Sequence, residues 1–212
     1  MTISRSTIAP ALFGRIYVTP IVTAYLQRYP EVRAECLFVD RIVNLVEEGI
    51  DVGIRIGELP DSSLQGIRVG TVRRVICAAP RYLRARGAPR HPEDLSRHTV
   101  ISALAVTPVS QWRLSIDGKE RLFEVTPRMV SSSNDAAIAA AMSGFGVVRL
   151  LSYQIAAHVK AGELTIVLAD FEPAALPVHI VHHHGRRVAQ KVRAFVDMTT
   201  ETLRDDPSLT IR

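Results

Sequence analysis

The hydrophobic positions of this chain follow two spacings that alternate along its length, one of three to four residues and one of two. The first long apolar segment, residues 16–29, has the spacing of a helix. Because proline lacks a backbone N–H, this helix should start or kink at Pro20 and end at Tyr29-Pro30. Pro10 and Gly14 indicate a loop just before it.

A strand, a helix and a second strand are predicted next. Residues 32–39 are largely apolar and should form a strand that stops at Asp40. Asp40 has the side chain of an N-cap for a helix over residues 41–48, with Gly49 just past its end. The β-branched residues of 50–57 favour another strand. A strand-helix-strand order of this kind is typical of a parallel sheet.

The middle of the chain predicts the start of a second lobe. Residues 69–79 favour a strand, and Pro80 suits the first position of the helix that follows. A short helix with an acidic first turn is expected from Pro92, before a strand over residues 99–102.

The second half of the chain continues the alternation. The strongest hairpin signal lies at residues 112–119, where Asp117-Gly118 readily adopts the positive φ angles of a type I′ turn. Ser133-Asn134-Asp135 offers caps for a helix over 136–143, which the following glycines end. Further strands and a terminal amphipathic helix are expected over 147–151, 164–168, 178–182 and 188–203. The pattern as a whole indicates an α/β protein.

Composition narrows the class of protein. The chain has 212 residues, enough for one large or two small domains, and its 47% hydrophobic residues form no run that could span a bilayer. Residues 1–7 lack the apolar core of a secretory signal, so we expect a cytoplasmic protein. Cys36 and Cys77 form no metal-binding motif, and both are expected to be buried core thiols.

The charge is positive, at +5, which raises the question of a polyanionic partner. Arginines are dense over residues 81–90 and 186–193, but acidic residues are interleaved elsewhere and lysines are few. We therefore favour a solvated surface over a nucleic-acid interface.

Motifs for catalysis and cofactor binding are sparse. Nucleophile-elbow, P-loop and zinc-hydrolase motifs do not occur, so neither a cofactor nor a metal is expected. His182-His183-His184 could attract a metal ion, but neighbouring strand residues point to opposite faces, and an incidental run is favoured. Asp61, His98 and Ser102 could be combined as a triad, but nothing in their spacing demands it. Gly144-Phe145-Gly146 follows a helix and is interpreted as its C-cap rather than as a dinucleotide loop.

Loops at the ends of the predicted strands offer a binding site instead. In α/β sheets, ligands bind beyond the carboxyl ends of the strands, near helix N-termini whose N–H groups favour anions. Two sets of loops fit this description, and together they predict a cleft between two lobes. Such a cleft suits a small organic acid, and aromatic compounds, amino acids and quinones are the alternatives. The candidate ligand-binding residues are Pro10, Ala11, Leu12, Val39, Asp40, Ile56, Gly57, Ser102, Ala103, Ser133 and Asn134.

Several motifs, taken together, resemble one family. The block from Asp40 to Leu64 is the most specific, and shorter motifs match in order and spacing on both sides of it. These shorter motifs are Ala9–Arg15, Tyr29–Val32, Ala79–Leu83, Gly87–Pro89, Pro92–Leu95, Trp112, Gly144–Val147 and Lys191–Asp197. Over nearly the whole chain they resemble the effector-binding domain of LysR-type transcriptional regulators.

The resemblance implies a fold like that of type 2 periplasmic binding proteins, with two Rossmann-like lobes joined by two crossover strands. Lobe I would comprise residues 1–76 and 178–212, and lobe II residues 77–177. A small-molecule effector would bind between the lobes, at the candidate residues given above. The resemblance also implies a homodimer, or a tetramer at full length. DNA would be bound only through a helix-turn-helix that these residues lack.

Two features depart from the family pattern. The first cleft loop often carries a Ser or Thr hydroxyl where this chain has Pro10-Ala11, so backbone N–H groups or other residues would have to bind an effector carboxylate. Residues 4–7 look irregular where the family has an apolar strand, which we interpret as a truncation near the lobe boundary. A stand-alone solute-binding protein is the alternative. An enzyme on the same scaffold is a third hypothesis, although the cleft loops lack an acid–base pair.

Overall fold

The computed structural model describes residues 3–41, 45, 47–59, 64–103, 110–183 and 190–209. The chain forms two compact units, Met1–Val72 with Leu176–Arg212, and Arg73–Ala175. The polypeptide therefore passes from one unit to the other twice, at residues 72–73 and 175–176. The boundaries expected from the sequence lie at 76–77 and 177–178. That the two parts act as regulatory lobes stays a prediction.

The elements alternate between strands and helices along most of the chain. The strands are β1 (Ile3–Ala9), β2 (Val32–Phe38), β3 (Val52–Ile56), β4 (Leu64–Val72), β5 (Arg74–Ala78), β6 (Val100–Ala103), β7 (Gln111–Ile116), β8 (Lys119–Glu124), β9 (Pro127–Ser131), β10 (Val147–Leu151), β11 (Thr165–Val167) and β12 (Leu176–His183). The α-helices are α1 (Ala11–Phe13), α2 (Thr19–Arg28), α3 (Pro80–Arg86), α4 (Asn134–Met142), α5 (Ser152–Lys160) and α6 (Gln190–Arg204). Short 3-10 helices span Pro92–Arg97 and Ala169–Phe171. In the described part of the chain, no helix is long and apolar enough to cross a membrane.

The first unit is built on a sheet with the strand order β2-β1-β3-β12-β4. β1 pairs in parallel with β2 and β3, whereas β12 is antiparallel to β3 and β4. Helices α2 and α6 pack together in this unit, where the rings of Tyr25 and Phe195 meet edge to face at 5.2 Å. The Tyr25 hydroxyl also donates to the Lys191 carbonyl (2.8 Å), so the ring can be buried with its polar atom satisfied.

Residues 4–7 belong to β1 and are not irregular, which corrects the expectation from the sequence. β1 pairs with β2 over its whole length. Ser6 is satisfied by the segment just before β3, because its N–H donates to Asp51 Oδ2 (3.1 Å) and its hydroxyl to the Gly49 carbonyl (3.0 Å). A central strand that carries polar residues lacks the apolar alternation by which strands are predicted. The irregularity from which a truncation was inferred is therefore not observed in these residues.

The first predicted helix begins earlier than expected and contains a π-helical turn. Residues 11–28 are helical throughout, with Gly14–Val18 in π geometry between α1 and α2. Pro20 follows this turn and has no N–H to donate to the carbonyl four residues earlier. Thr19 binds the Gly14 carbonyl through its N–H and also through Oγ1 (3.0 Å). The helix therefore does not start at Pro20; its geometry changes from π to α at Thr19, one residue before the proline.

Half of the predicted helix over residues 41–48 lies outside the described residues, and the described half is not assigned as helix. Arg41 forms a bend, and Leu45, Glu47 and Glu48 lie in turns. Arg41 and Glu48 form an exposed ion pair (3.0 Å) across this segment.

The two cysteines lie in different environments. Cys77 in β5 is fully buried, and burial raises the pKa of its thiol to about 12. Cys36 in β2 is exposed, so the prediction of a second core thiol is wrong. β2 is an edge strand, so its side chains have neighbours on one side only, and burial is lost between Val32 and Cys36.

The second unit is built on a sheet with the strand order β11-β5-β10-β6-β9. β9 and β10 are parallel to β6, while β5 is antiparallel to β10 and β11. The hairpin of β7 and β8 places Trp112 and Leu114 in one apolar cluster with Ile76, Val100 and Val147 of the sheet. Burial of these side chains is the main stabilising term in this unit.

Local turn and cap signals in the second unit are confirmed. Asp117 and Gly118 have φ angles of 50° and 73°, as a type I′ hairpin turn requires. The Ser133 hydroxyl caps α4 by accepting a hydrogen bond from the Ala136 N–H (3.2 Å). Gly144, just after α4, has a φ of 73°, as a glycine C-cap requires.

Neither β9 nor helix α5 of the second unit was predicted. β9 contains Pro127 and Arg128 and is an edge strand, where the missing N–H of a proline is tolerated. Helix α5 follows directly on β10 without a loop, so no turn signal marks its start. Its first turn is closed by Gln154, whose Oε1 accepts from the Leu151 N–H (2.9 Å).

A partly buried hydrogen-bond chain links α3 to the start of β6. Tyr82 is 6% exposed, and its hydroxyl accepts from the Thr99 N–H (2.9 Å). The same hydroxyl lies 3.1 Å from Nδ1 of His98. A neutral His98 ring with an unprotonated Nδ1 can accept the hydroxyl proton of Tyr82. Burial is the main factor that lowers the pKa of His98.

We expect acid to destabilise the protein partly through His98. Because its pKa is lower in the folded chain than the ordinary 6.5, the unfolded chain binds more protons below that pH. The stabilisation is therefore present above about pH 6.5 and lost as the pH falls through the folded value. Urea unfolding from about pH 7 to about pH 5 should show a smaller loss of the free energy of unfolding in His98→Asn. His91→Gln, at an exposed histidine of the same unit, is the control; equal pH slopes for His98→Asn and the unsubstituted chain would contradict the assignment.

A methyl group at Gly146 should destabilise the second unit. A Cβ built there would lie 2.2 Å from the Thr99 carbonyl oxygen, so the backbone would have to move. We expect Gly146→Ala to lower the free energy of unfolding by about 3 kcal/mol, measured by denaturant unfolding. Gly118→Ala adds the same methyl where no atom lies within 4 Å, and should cost about 1 kcal/mol for its positive φ alone. A smaller effect at 146 than at 118 would show that the close approach is unimportant.

Candidate functional site

Each sheet contains one central strand that has a parallel neighbour on both sides. In the first unit, β1 has β2 on one side and β3 on the other; in the second, β6 has β9 and β10. All the pairings with these two central strands are parallel. Successive strands are added on opposite sides of the central strand, so the connections after neighbouring strands run in opposite directions. A crevice opens between them at the carboxyl ends of the strands. Each unit therefore has one such switch point, described separately below.

Two of the predicted loops lie side by side at the carboxyl edge of the first sheet. Val39, just after β2, donates its N–H to the carbonyl of Ala9, the last residue of β1 (3.0 Å). This bond brings Val39-Asp40 next to Pro10-Ala11, although the two pairs are far apart in the sequence. Pro10, Ala11, Val39 and Asp40 are all partly exposed at this edge.

Asp40 occupies the N-terminus of the first helix. Its Oδ1 accepts a hydrogen bond from the Ala11 N–H (3.0 Å), the first amide of the helical segment 11–28. A carboxylate at this position is stabilised by the helix dipole and by the amide it binds. The carboxylate of Asp40 thus already binds the Ala11 amide. This amide is one of the backbone N–H groups expected to bind an effector carboxylate. An effector carboxylate could bind that amide only by displacing Asp40.

The remaining predicted residues of this unit differ in exposure. The side chain of Leu12 is 1% exposed and belongs to the core, so only its backbone could face a ligand. Ile56, at the end of β3, and Gly57 are partly exposed. Gly57 has a φ of 113° and donates its N–H to the Pro177 carbonyl (2.8 Å), which ties the end of β3 to β12.

The carboxyl edge of the second sheet collects polar side chains. Ser102 near the end of β6 is 4% exposed, and Asn134 at the start of α4 is 6% exposed. Buried polar groups of this kind are held by hydrogen bonds and have defined positions. Ser131 Oγ donates to the Ser133 carbonyl and accepts from its N–H (both 3.1 Å), which shapes the loop between β9 and α4. Ala103 ends β6 and is partly exposed.

Arg149 belongs to the same edge but was missed by the sequence analysis. It lies in β10, beside β6, and its guanidinium stacks over the ring of Trp112 at 5.4 Å. Burial first, and then the positive charges of Arg74 and Arg113, lower the pKa of Arg149 to about 10. It therefore remains charged at neutral pH. The signal in the sequence was a single arginine within the apolar run Val147–Leu151.

The alternative catalytic and metal sites gain no support. Among the described residues, no group of three or more His, Cys, Asp or Glu side chains could hold a metal ion. Asp61 and His184 lie outside the described residues, and of His183 only the backbone is described. His98 contacts the Tyr82 hydroxyl through Nδ1, as described above.

Comparison with known proteins agrees with the fold. The regulatory domain of CrgA, a LysR-type transcriptional regulator from Neisseria meningitidis, superposes with a TM-score of 0.83 at 24% identity, covering 96% of this chain and all of that domain. Full-length AphB, a virulence activator from Vibrio cholerae, gives a TM-score of 0.84 at 23% identity, covering 95% of this chain and 68% of AphB. These likenesses show a two-lobed α/β fold like that of type 2 periplasmic binding proteins, as predicted.

Sequence comparison identifies the family. An HTH-type transcriptional repressor from Pseudomonas aeruginosa (strain UCBPP-PA14) is 30% identical over 211 residues, which are 99% of this chain and 63% of the repressor. The chain spans 64%, 63% and 58% of the lengths of three curated relatives, all named as HTH-type regulators or repressors. The family described as the LysR substrate binding domain matches residues 8–204. This chain therefore belongs to the LysR substrate-binding domain family.

Proposed function

We propose that this chain senses a small-molecule effector for a LysR-type transcriptional regulator. Membership of the family over residues 8–204 supports this role. The observation that carries it is the presence, in each unit, of polar groups and a helix N-terminus at the switch point of a parallel sheet. Ligands of α/β proteins bind at this position.

The proposed effector site uses the predicted residues in different ways. Ser102 and Asn134 would contact the effector through buried polar side chains, and Asp40 through its partly exposed carboxylate. Pro10, Ala11, Leu12, Val39, Ile56, Gly57, Ala103 and Ser133 would contribute backbone groups and shape. A small organic acid is the class of effector that we propose.

Sensing requires that the effector distinguish two conformations. A ligand can shift an equilibrium only by its difference in affinity for the two states. Binding of an effector that favours one conformation would pass the change to the rest of a full-length regulator. We propose a homodimer, or a tetramer at full length, as the assembly that transmits it.

A binding role is favoured over a catalytic one. The family is a domain of transcriptional regulators and not an enzyme family. We therefore propose that this chain has no catalytic activity and uses no cofactor. A solute-binding protein of transport could use the same crevices, but relatives at 26% to 30% identity are named as regulators. Regulators act on DNA, which supports a cytoplasmic location.

Ligand binding should stabilise the chain. Thermal unfolding in a library of small organic acids, amino acids and aromatic compounds should reveal at least one that raises Tm. At a hundredfold excess over Kd the gain is about 2.7 kcal/mol. Ser133→Ala should reduce this gain, because it loosens the N-terminus of α4 at the proposed site.

Ser143→Ala is the matched control for this experiment. It removes a serine from the opposite end of α4, where the hydroxyl donates to the Ala140 carbonyl (2.7 Å). Each variant is compared with its own unliganded Tm, since loss of the Ser133 cap alone costs about 1 kcal/mol. A flat response across the library, or an equal loss of response in both variants, would count against the proposed site.

Isolated from the rest of a regulator, the chain should bind DNA weakly and without sequence preference. The +5 charge favours non-specific contact with phosphates, which weakens steeply as salt rises. We propose that sequence-specific binding resides in the part of the relatives that this chain does not match. Fluorescence anisotropy with a set of DNA duplexes of unrelated sequence, at two salt concentrations, measures the affinity and its dependence on sequence. Tight binding to one duplex alone would overturn this view.

A further inference from the structure

Three arginines of the second unit come together near the carboxyl edge of its sheet. Arg74 lies in β5, Arg149 in β10 and Arg113 in β7 of the hairpin. In the antiparallel pairing of β5 and β10, Arg74 is opposite Leu151 and Arg149 is opposite Ile76. Arg74 and Arg149 are thus diagonal neighbours on one face of the sheet, with Cα atoms about 7–8 Å apart. Arg149 also reaches the hairpin, where it donates to the Arg113 carbonyl (3.5 Å).

Among the residues that the structure describes, the positive charges of this group are incompletely balanced. Burial first and then Arg113 lower the pKa of Arg74, and both other arginines act on Arg149. Glu120 is the carboxylate that acts on Arg74, and it forms an ion pair with Arg113 (3.4 Å) in which both side chains are about half exposed. Three positive charges and one negative charge leave a local excess of two. Partly buried like charges are costly without a counter-ion, so the group favours an anion.

The arginines face the same side of the sheet as a predicted effector residue. β10 pairs with β6 in parallel, with Val147 opposite Val100 and Val148 opposite Ile101. Since side chains alternate between faces, Arg149 shares a face with Val147, and Ser102 shares that face with Val100. Arg149 and Ser102 therefore lie at the same level of two neighbouring strands, one on each side of the switch point.

We propose that Arg74, Arg113 and Arg149 form an anion subsite in the second unit, which binds a doubly charged oxyanion of the effector. Two partly buried guanidiniums suit a phosphate or a pair of carboxylates, because each can donate two parallel hydrogen bonds. Ser102, on the same face, would contact the adjoining part of the ligand. The inference rests on the proposed function for the role of the ligand as effector, whereas binding of the anion can be measured without that assumption.

The single tryptophan of the chain reports on this subsite. Because Arg149 stacks over Trp112, an anion that binds Arg149 should change the fluorescence of the indole. The chain is titrated with sodium sulfate, a permanent dianion, against sodium chloride at matched ionic strength. We expect a saturable change with sulfate and none with chloride. Parallel titrations with phosphate and with succinate then distinguish a compact tetrahedral dianion from a dicarboxylate.

Variants locate the binding. Arg74→Gln and Arg149→Gln should each raise the apparent Kd for sulfate roughly tenfold, the loss expected for a charge-assisted hydrogen bond. Arg149→Lys keeps the charge without the planar fork and should weaken binding less. Arg90→Gln, at an exposed arginine of the same unit, removes the same charge and should leave the Kd unchanged. Circular dichroism of each variant verifies folding, and Arg74→Gln stands in for Arg149→Gln if loss of the Trp112 contact unfolds the unit.

Two outcomes would overturn the subsite. One is a sulfate response that chloride reproduces at equal ionic strength, which would indicate general screening. The other is an equal Kd for the Arg90, Arg74 and Arg149 variants. A saturable, arginine-dependent response in a chain whose Tm no organic ligand of the library changes would support the anion subsite while counting against effector sensing. The two proposals can therefore fail separately.

Discussion

The parallel pairing of one central strand with a neighbour on each side determines where each unit can bind a ligand. β1 lies between β2 and β3, and β6 lies between β9 and β10. Parallel strands end at the same edge, so the residues that follow them are collected there, however far apart they are in the sequence. The bond from the Val39 N–H to the Ala9 carbonyl shows this collection directly. Every candidate residue of the site depends on this arrangement.

The two edges differ in their electrostatics. In the first unit, the helix N-terminus that would attract an anion is already bound by the carboxylate of Asp40. In the second, Arg74 and Arg149 lie beside each other, with one carboxylate, Glu120, in reach of Arg74 and already paired with Arg113. The charge of an effector should therefore be recognised mainly by the second unit. Ser102, buried beside Arg149, adds a hydrogen-bonding group of defined position.

Most of the fold could be predicted because its signals are local, and the errors have identifiable causes. The alternation of elements, the hairpin at Asp117-Gly118 and the start of α3 at Pro80 were all expected. β1 was missed because its polar residues are satisfied by partners in other segments, such as Asp51 for Ser6. Cys36 was wrongly assigned to the core because neither an apolar strand nor the lack of a metal-binding motif shows whether another element covers its side chain.

By itself, the sequence determined most of the elements, the caps and turns of the second unit, and the family, since these depend on residues close together in the chain and on motifs read in order. Only the tertiary structure decided the chemistry at the ends of the strands. Asp40 accepts a hydrogen bond from the amide of Ala11, 29 positions away. Arg149 and Arg74 become neighbours through the pairing of two antiparallel strands. The physical reason is that caps and turns form within a few residues, whereas strand pairing joins distant segments in a register that no local pattern encodes.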